Sequence, residues 1–498
     1  LLDPGNIEIR DSGTSSGGTT VILTSTIENN LSSNDVIIKT DTDNVYYLHA
    51  YDLIQYGGSA ERTLTLGASG RVLIYADITS TDGPLNLVLA SSIDRTTNFT
   101  SAGYGVGLIG PVTINTKGGD LWIGGGKLDG SWKGHEVGVG AAMGGVPHSN
   151  GLGAEIRNST ILTGGGDVRI LGTSNGAPGI SAFQGDTTIN VGTGDIELIS
   201  DRMGFDYGDI GTQIQIDGTG NLTIAPLENS FANAVKWDAS KLGDYYTSTG
   251  GANTIDGLKI QDTLGLTIGK PGNSALLYIE TDIVINGPIS FESGGFTTQS
   301  GVDLETTAKN AGILVKVNEY PAGSNPTDGY ISIAGDNITT DGGDIVLWTN
   351  TSNRTSGQAN NEISLEGSNT LTSNGGKIVL AGGEDSDDDG IPDGYAYRGG
   401  LGWSAVVIGD NVSLLSDGGD VIIRGQAGLE GPSEAPRSFG VQAGAGFKLD
   451  SDAGTINIKG LSASESGIWL GPTDPAGAVS PIAITSASTA ATAITIHG

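Results

Sequence analysis

YISIAGDNITTDGGDIVLWTN, residues 330–350, holds the plan of the chain. Ile331 and Ile333 alternate with polar neighbours, Gly335 interrupts, a second short run carries Ile338, Gly342 and Gly343 interrupt again, and Ile345 and Leu347 lie in a third run. Successive side chains of a strand point to opposite faces, so each run offers one apolar face and is too short to bury it alone. The same phrase returns as NEISLEGSNTLTSNGGKIVLAGG from Asn361 and SAVVIGDNVSLLSDGGDVIIRG from Ser404. Its second half recurs as NTKGGDLWIGGG from Asn115, LTGGGDVRILGT from Leu162, NVGTGDIELISD from Asn190 and SDAGTINIKG from Ser451. A unit that cannot close its own core must stack on copies of itself. Three short strands joined by tight corners predict an all-β chain, a right-handed parallel β-helix with loop insertions.

The glycine pairs at 118/119, 164/165, 342/343, 375/376 and 418/419 read as corners, where left-handed backbone and close approach of neighbouring coils favour glycine. A phosphate-cradling loop is excluded, because no GKS or GKT follows the glycines and no helical pattern opens after them. Composition agrees: the 498 residues include 83 Gly and 16 Pro, rich in turn formers, with Ile, Val and Leu for strands. We expect one continuous segment, 1–498, with insertions at 124–153, 227–262, 317–329, 384–400 and 425–437. In repeat proteins such insertions decorate a face and carry recognition.

Acidic residues number 56 against 24 basic, a formal net charge of −32, which argues against nucleic acid and anionic membrane as partners. A solubilising surface and a surface that collects divalent cations share this balance. There is no cysteine, which removes disulfides, thiolate chemistry and Cys-ligated zinc, and which suits an exported chain. No apolar run approaches the roughly 20 residues of a membrane span, and the absence of an initiator Met predicts a piece of something longer.

The opening LLDPGNIEI, STIENNLSSNDVIIKT from Ser25, LTLGASGRVLIYADITSTDGPLNLVLA from Leu64 and TINTKGGDLWIGGG from Thr113 resemble the repeat-rich shaft of filamentous-haemagglutinin-like exoproteins of two-partner secretion systems. The stretches LTIAPLENSFANAVKWDASKL from Leu222 and LGLTIGKPGNSALLYIETDIVINGPIS from Leu264 are similar to segments of giant surface adhesins of Bacteroidetes. The resemblance implies a right-handed β-helix, export, and a role in adhesion or surface-layer formation. It also implies an extracellular, outer-membrane-associated location, with surface polysaccharide or a cell-surface receptor as ligand. An outer-membrane secretion partner and association with other segments of the same protein, or with further copies, go with it.

EDSDDDGIPDGY, from Glu384, is the sharpest local motif. Asp385, Asp387 and Asp389 fall at alternating positions before the Gly390 bend, and Asp393 follows, a spacing that lets carboxylates encircle one hard cation. We expect calcium there, in a structural role. Position twelve is Ala396, not the bidentate Glu of an EF-hand, so the loop is closer to the DxDxDGxxD element of thrombospondin-type-3 repeats. A solvated acidic loop is the alternative.

The insertion GKLDGSWKGHEVGVGAAMGGVPHSNG carries Asp129, Trp132, His135, Glu136 and His148, residue types that serve polysaccharide lyases and hydrolases. No repeated acid pair on consecutive coils accompanies them. Of the tryptophans, Trp122, Trp348 and Trp469 follow the strand alternation, whereas Trp132, Trp237 and Trp403 lie in or beside insertions. His49 and His497 show no partner in the sequence. The expected function is a non-catalytic shaft and display surface of a secreted adhesin or extracellular filament. A β-helical polysaccharide lyase or hydrolase, or a carbohydrate-binding module without turnover, is the alternative.

Overall fold

The computed structural model describes residues 5–41, 44–93, 105–144, 151–174, 177–182, 185–204, 214–237, 253–254, 258–261, 265–318, 329–352, 360–399, 404–428, 438–463, 466–471 and 480–498. The chain divides into two compact units, Leu1–Asn233 with Asp238–Leu264, and Ala234–Trp237 with Gly265–Gly498, where the sequence reading expects one segment.

Both units are parallel β-helices. In the second, the deciding stretch supplies strands Ile331–Ala334, Asn337–Asp341 and Ile345–Thr349, one to each of three parallel sheets. Each pairs in register with the equivalent strand of the next coil, Ile363–Glu366, Thr370–Thr372 and Ile378–Gly382. In the first unit, Val106–Ile109, Thr113–Asn115 and Leu121–Trp132 do the same, pairing with Ala154–Arg157, Thr160–Leu162 and Val168–Thr173. Parallel crossover connections of this kind take the right-handed sense.

The core follows from the register. Ile289, Ile313, Ile345, Ile378, Val421 and Ile456 form one inward column of the third sheet, each at most 1 % exposed. Leu87, Leu121, Val168, Ile196 and Leu222 form the matching column of the first unit. Each such side chain contributes roughly 1.5–3 kcal/mol by burial.

The corners explain the repeated phrase. The buried hydroxyls of Thr340, Ser373, Ser416 and Ser451 donate to the carbonyl oxygens of Gly343, Gly376, Gly419 and Gly454 at 2.5, 2.5, 2.5 and 2.8 Å. The residue after the hydroxyl adopts left-handed backbone at Asn374, Asp417 and Asp452, and in the corner after Thr340 it is Gly342 that does so. The closing glycine faces a steric limit, since a Cβ on Gly376 would collide with the carbonyl oxygen of Gly343 on the preceding coil.

The acid that follows ties coils together. Asp120 Oδ1 accepts the backbone N–H of Asp167 at 2.7 Å, Asp167 that of Asp195 at 2.9 Å, and Asp195 that of Asn221 at 2.8 Å. In the second unit Asp344 accepts from Lys377 and Asp420 from Thr455, both at 2.7 Å.

One element departs from the strand pattern. Thr24–Leu31 is an α-helix, placed between strand Thr19–Leu23 of the first sheet and Val36–Lys39 of the third, where a second-sheet strand would otherwise lie. Ile27 and Leu31, one helical turn apart, are buried at 2 % and 0 % exposure. The carboxylate of Glu28 accepts the N–H of Gln55 at 2.9 Å, on the strand that ends the second sheet. The helix thus covers a sheet edge whose backbone groups would otherwise lack partners.

Candidate functional site

The acidic insertion stands on a specific foundation. Val346, Trp348, Val379 and Ala381 point outward from the third sheet of the second unit, yet are 6 %, 6 %, 0 % and 0 % exposed because Ile391 of the insertion packs over them. Trp348 Nε1 donates to the carbonyl of Gly383 at 2.8 Å, and Lys316 Nζ lies 4.1 Å from the indole centre. Arg424 donates to the carbonyls of Pro392 and Asp393 at 3.2 and 2.8 Å, clamping the far side of the loop. Trp348 therefore packs against strands as expected, but on the outer face and under a lid.

Within the loop, Asp385, Asp387 and Asp393 bring carboxylate oxygens within 4.8 Å of one another. Oxygen ligands of one calcium ion lie about 2.3–2.6 Å from it, so a set with this spread fits a single ion. Asp389 belongs to the sequence expectation but not to this cluster. Its Oδ1 accepts the N–H of Ile391 at 2.9 Å in a local turn. Asp385 accepts the N–H groups of Asp389 and Gly390, and Asp393 accepts from Ser386. Asp387 also accepts the backbone N–H of Asp389, but repulsion from the Asp389 carboxylate above all, with desolvation and with Asp393 and Asp385, pushes its pKa above the usual range. Among the described residues this is the one group of three or more acids or histidines that converges on a point.

The 124–153 insertion repeats the device in the first unit. Leu121–Trp132 continues past its coil and turns back as an antiparallel hairpin with His135–Gly140. Val137 of the hairpin covers outward Val88, Ala90 and Trp122, with Leu128 and Trp132 packed beside them. The residues that the enzyme alternative would use separate. His135 Nε2 sits 3.6 Å from Asp120, Asp129 pairs with Lys127 at 2.6 Å in solvent, and Glu136 is exposed. His148 lies outside the described residues, as does Trp403. Trp237 is buried, and Trp469 stacks on Phe439 with ring centres 5.5 Å apart.

A groove of about 490 Å³ on the second unit is lined by Glu362, Ser364, Glu366, Val407, Asp410 and Asn411. Burial raises the pKa of Glu362 against the pull of its ion-pair partner Arg398. Glu362 and Glu366 are four positions apart on an extended chain, roughly 13 Å. Asp410 already accepts the N–H of Ala445 at 2.7 Å. These acids flank the groove without sharing one point.

The aromatic face near the N-terminus of the first unit was not anticipated, and His49 is not isolated there. Its ring stacks on Tyr47 at 4.2 Å between centres, and its Nδ1 lies 3.0 Å from the Tyr51 hydroxyl. Tyr51 stacks on Tyr75 at 5.0 Å, and the Arg10 guanidinium lies 4.1 Å from the Tyr51 ring centre. Tyr47, His49 and Tyr51 occupy alternate positions, a period-two aromatic signal legible in VYYLHAYDL.

No protein-family model, no curated protein and no solved structure matches this chain. No helix among the described residues is long and apolar enough to cross a membrane.

Proposed function

We propose that this chain is a non-catalytic structural and display segment of a secreted, cell-surface-associated adhesin or extracellular filament. The observation that carries the reading is the placement of the repeat carboxylates: Asp120, Asp167, Asp195, Asp344 and Asp420 each hold a backbone N–H of the next coil. The acid of each repeat builds the stack and does not converge on a substrate groove. The described parts of the insertions at 124–153 and 384–400 fold back on their own sheets and offer their outer surfaces for contact. Calcium at Asp385, Asp387 and Asp393 orders one of them. Surface polysaccharide or a cell-surface receptor is the ligand class this reading expects, with export through an outer-membrane partner. Antibody raised to the purified chain is expected to label intact source cells, with the signal removed by brief external protease. Labelling only after lysis overturns the reading.

The enzyme alternative has one observation in its favour, the raised pKa of Glu362 in a groove beside Arg398.

A further inference from the structure

One outward row of the third sheet of the second unit runs Lys316, Trp348, Ala381, Arg424, Lys459 and His497, each on the next strand of the stack. The acidic insertion sits over Trp348 and Ala381, with Ile391 and the neighbouring Ile422 packed there. Beyond the insertion the row is basic. Strand Val421–Ala427 presents Arg424, Ile456–Ser462 presents Lys459 and Ile494–His497 presents His497. None of these three strands carries an acid.

Like charges directly opposite each other on neighbouring strands are destabilising. Lys316 escapes this, because Glu292 is its register partner on the preceding strand. Lys459 does not: Arg424 lies opposite on one side and His497 on the other, and it forms no ion pair with a described residue. Arg424 directs its hydrogen bonds to the backbone carbonyls of Pro392 and Asp393, which leaves its charge without a bonded carboxylate. The loop beside the row has the opposite excess. Glu384, Asp385, Asp387, Asp388, Asp389 and Asp393 crowd one short segment, and none of them forms an ion pair among the described residues. Asp388, at the tip, is exposed and holds left-handed backbone.

We infer that this face is a contact between two copies of the chain related by a two-fold axis, with the Glu384–Asp393 loop of each lying on the Arg424 and Lys459 row of the other. A two-fold contact is self-complementary, so a face that sets an acidic projection beside a basic shelf satisfies both halves at once. The centres of the two patches are two to three strands apart along the stack, roughly 12 Å, and the axis falls between them. Long-range repulsion between two chains of net charge −32 is screened beyond about 10 Å at 0.1 M salt, so the opposed patches govern the approach there. Exposed ion pairs are individually weak, which makes the dimer a concentration-dependent one. The inference rests on the display reading, whose filament form needs a contact between copies, and it names that contact.

The test is sedimentation velocity of the full chain over a wide concentration range, with chelator present, at about 0.1 M and about 1 M salt. The expected result is a dimer that grows with concentration at the lower salt and is at least ~10-fold weaker at the higher. Lys459→Glu and Asp388→Lys, each with unchanged circular dichroism, are each expected to weaken dimerisation ~10-fold, since each sets like charges together in both halves of the contact. Mixing the two variants is expected to restore the dimer, because one half then holds the native pair and the other half the reversed pair. A chain monomeric throughout, a dimer indifferent to salt or to both substitutions, or a mixture no tighter than its components overturns the contact. Retention of polygalacturonate by a monomer, lost in Lys459→Glu, gives the row to a polysaccharide and overturns it too. Surface labelling of cells would still stand in those cases, so failure here and failure of the display reading are told apart.

Discussion

Thr340 has a hydroxyl 2.5 Å from the carbonyl of Gly343, and that contact sets the corner on which Asp344 then presents its carboxylate to the next coil. The corner was legible in the letters TDGGD, because glycine pairs beside Asp or Asn announce left-handed backbone. The hydrogen bonds made by the acid were not, because the partner amide is 33 residues away at Lys377 and nothing local encodes it. Glu155 was also invisible: in AEIR it reads as an outward charge, but it is 1 % exposed and one of its oxygens has no partner among the described residues. Arg157 donates to the other oxygen at 3.0 and 2.6 Å. Burial nevertheless pushes the Glu155 pKa from 4.5 up to about 7. The folded state then holds a proton that the unfolded state releases between those values. The associated stability is complete below about pH 4.5 and is lost as pH rises through 7, by up to roughly 3 kcal/mol. Chemical denaturation is expected to show this fall between about pH 4.5 and 7 and to show it flattened in Glu155→Gln. An unchanged slope in the variant contradicts the assignment.

At the scale of elements, the sequence displayed the strands and concealed what covers them. Alternation puts Ile345 and Leu347 on one face and Trp348 on the other, and a large apolar residue at an outward position signals a lid. The lid came from the insertion that begins 36 residues further on, at Glu384, with Ile391 as its contact. The helix Thr24–Leu31 was missed because TSTIENNL is rich in residues that favour turns, and only the Ile27 and Leu31 spacing marked its buried stripe. The convergence of Asp385, Asp387 and Asp393 was legible from their spacing, but the departure of Asp389 was not, since its turn to Ile391 depends on the local backbone. Trp348→Ala is expected to cost about 3–5 kcal/mol and to free the loop. Limited proteolysis should then cut between residues 384 and 394 faster than in the parent chain. Calcium should slow that cut in the parent, and Asp387→Asn should abolish the slowing. Cleavage indifferent to calcium contradicts the metal assignment.

For the molecule as a whole, composition and repeats carried the fold class, because a stack built from short alternating strands leaves its period in the sequence. They carried the site less far. The aromatic lattice of Tyr47, His49, Tyr51 and Tyr75 needs two coils in register, and the groove at Glu362 needs strands 43 residues apart. The acids near that groove are the place where a display segment and an enzyme would differ. The most direct measurement is therefore incubation of the purified chain with neutral and acidic polysaccharides, recording retention and new chain ends, with Glu362→Gln in parallel. The display account predicts no new chain ends from either protein. New ends that disappear in Glu362→Gln contradict it.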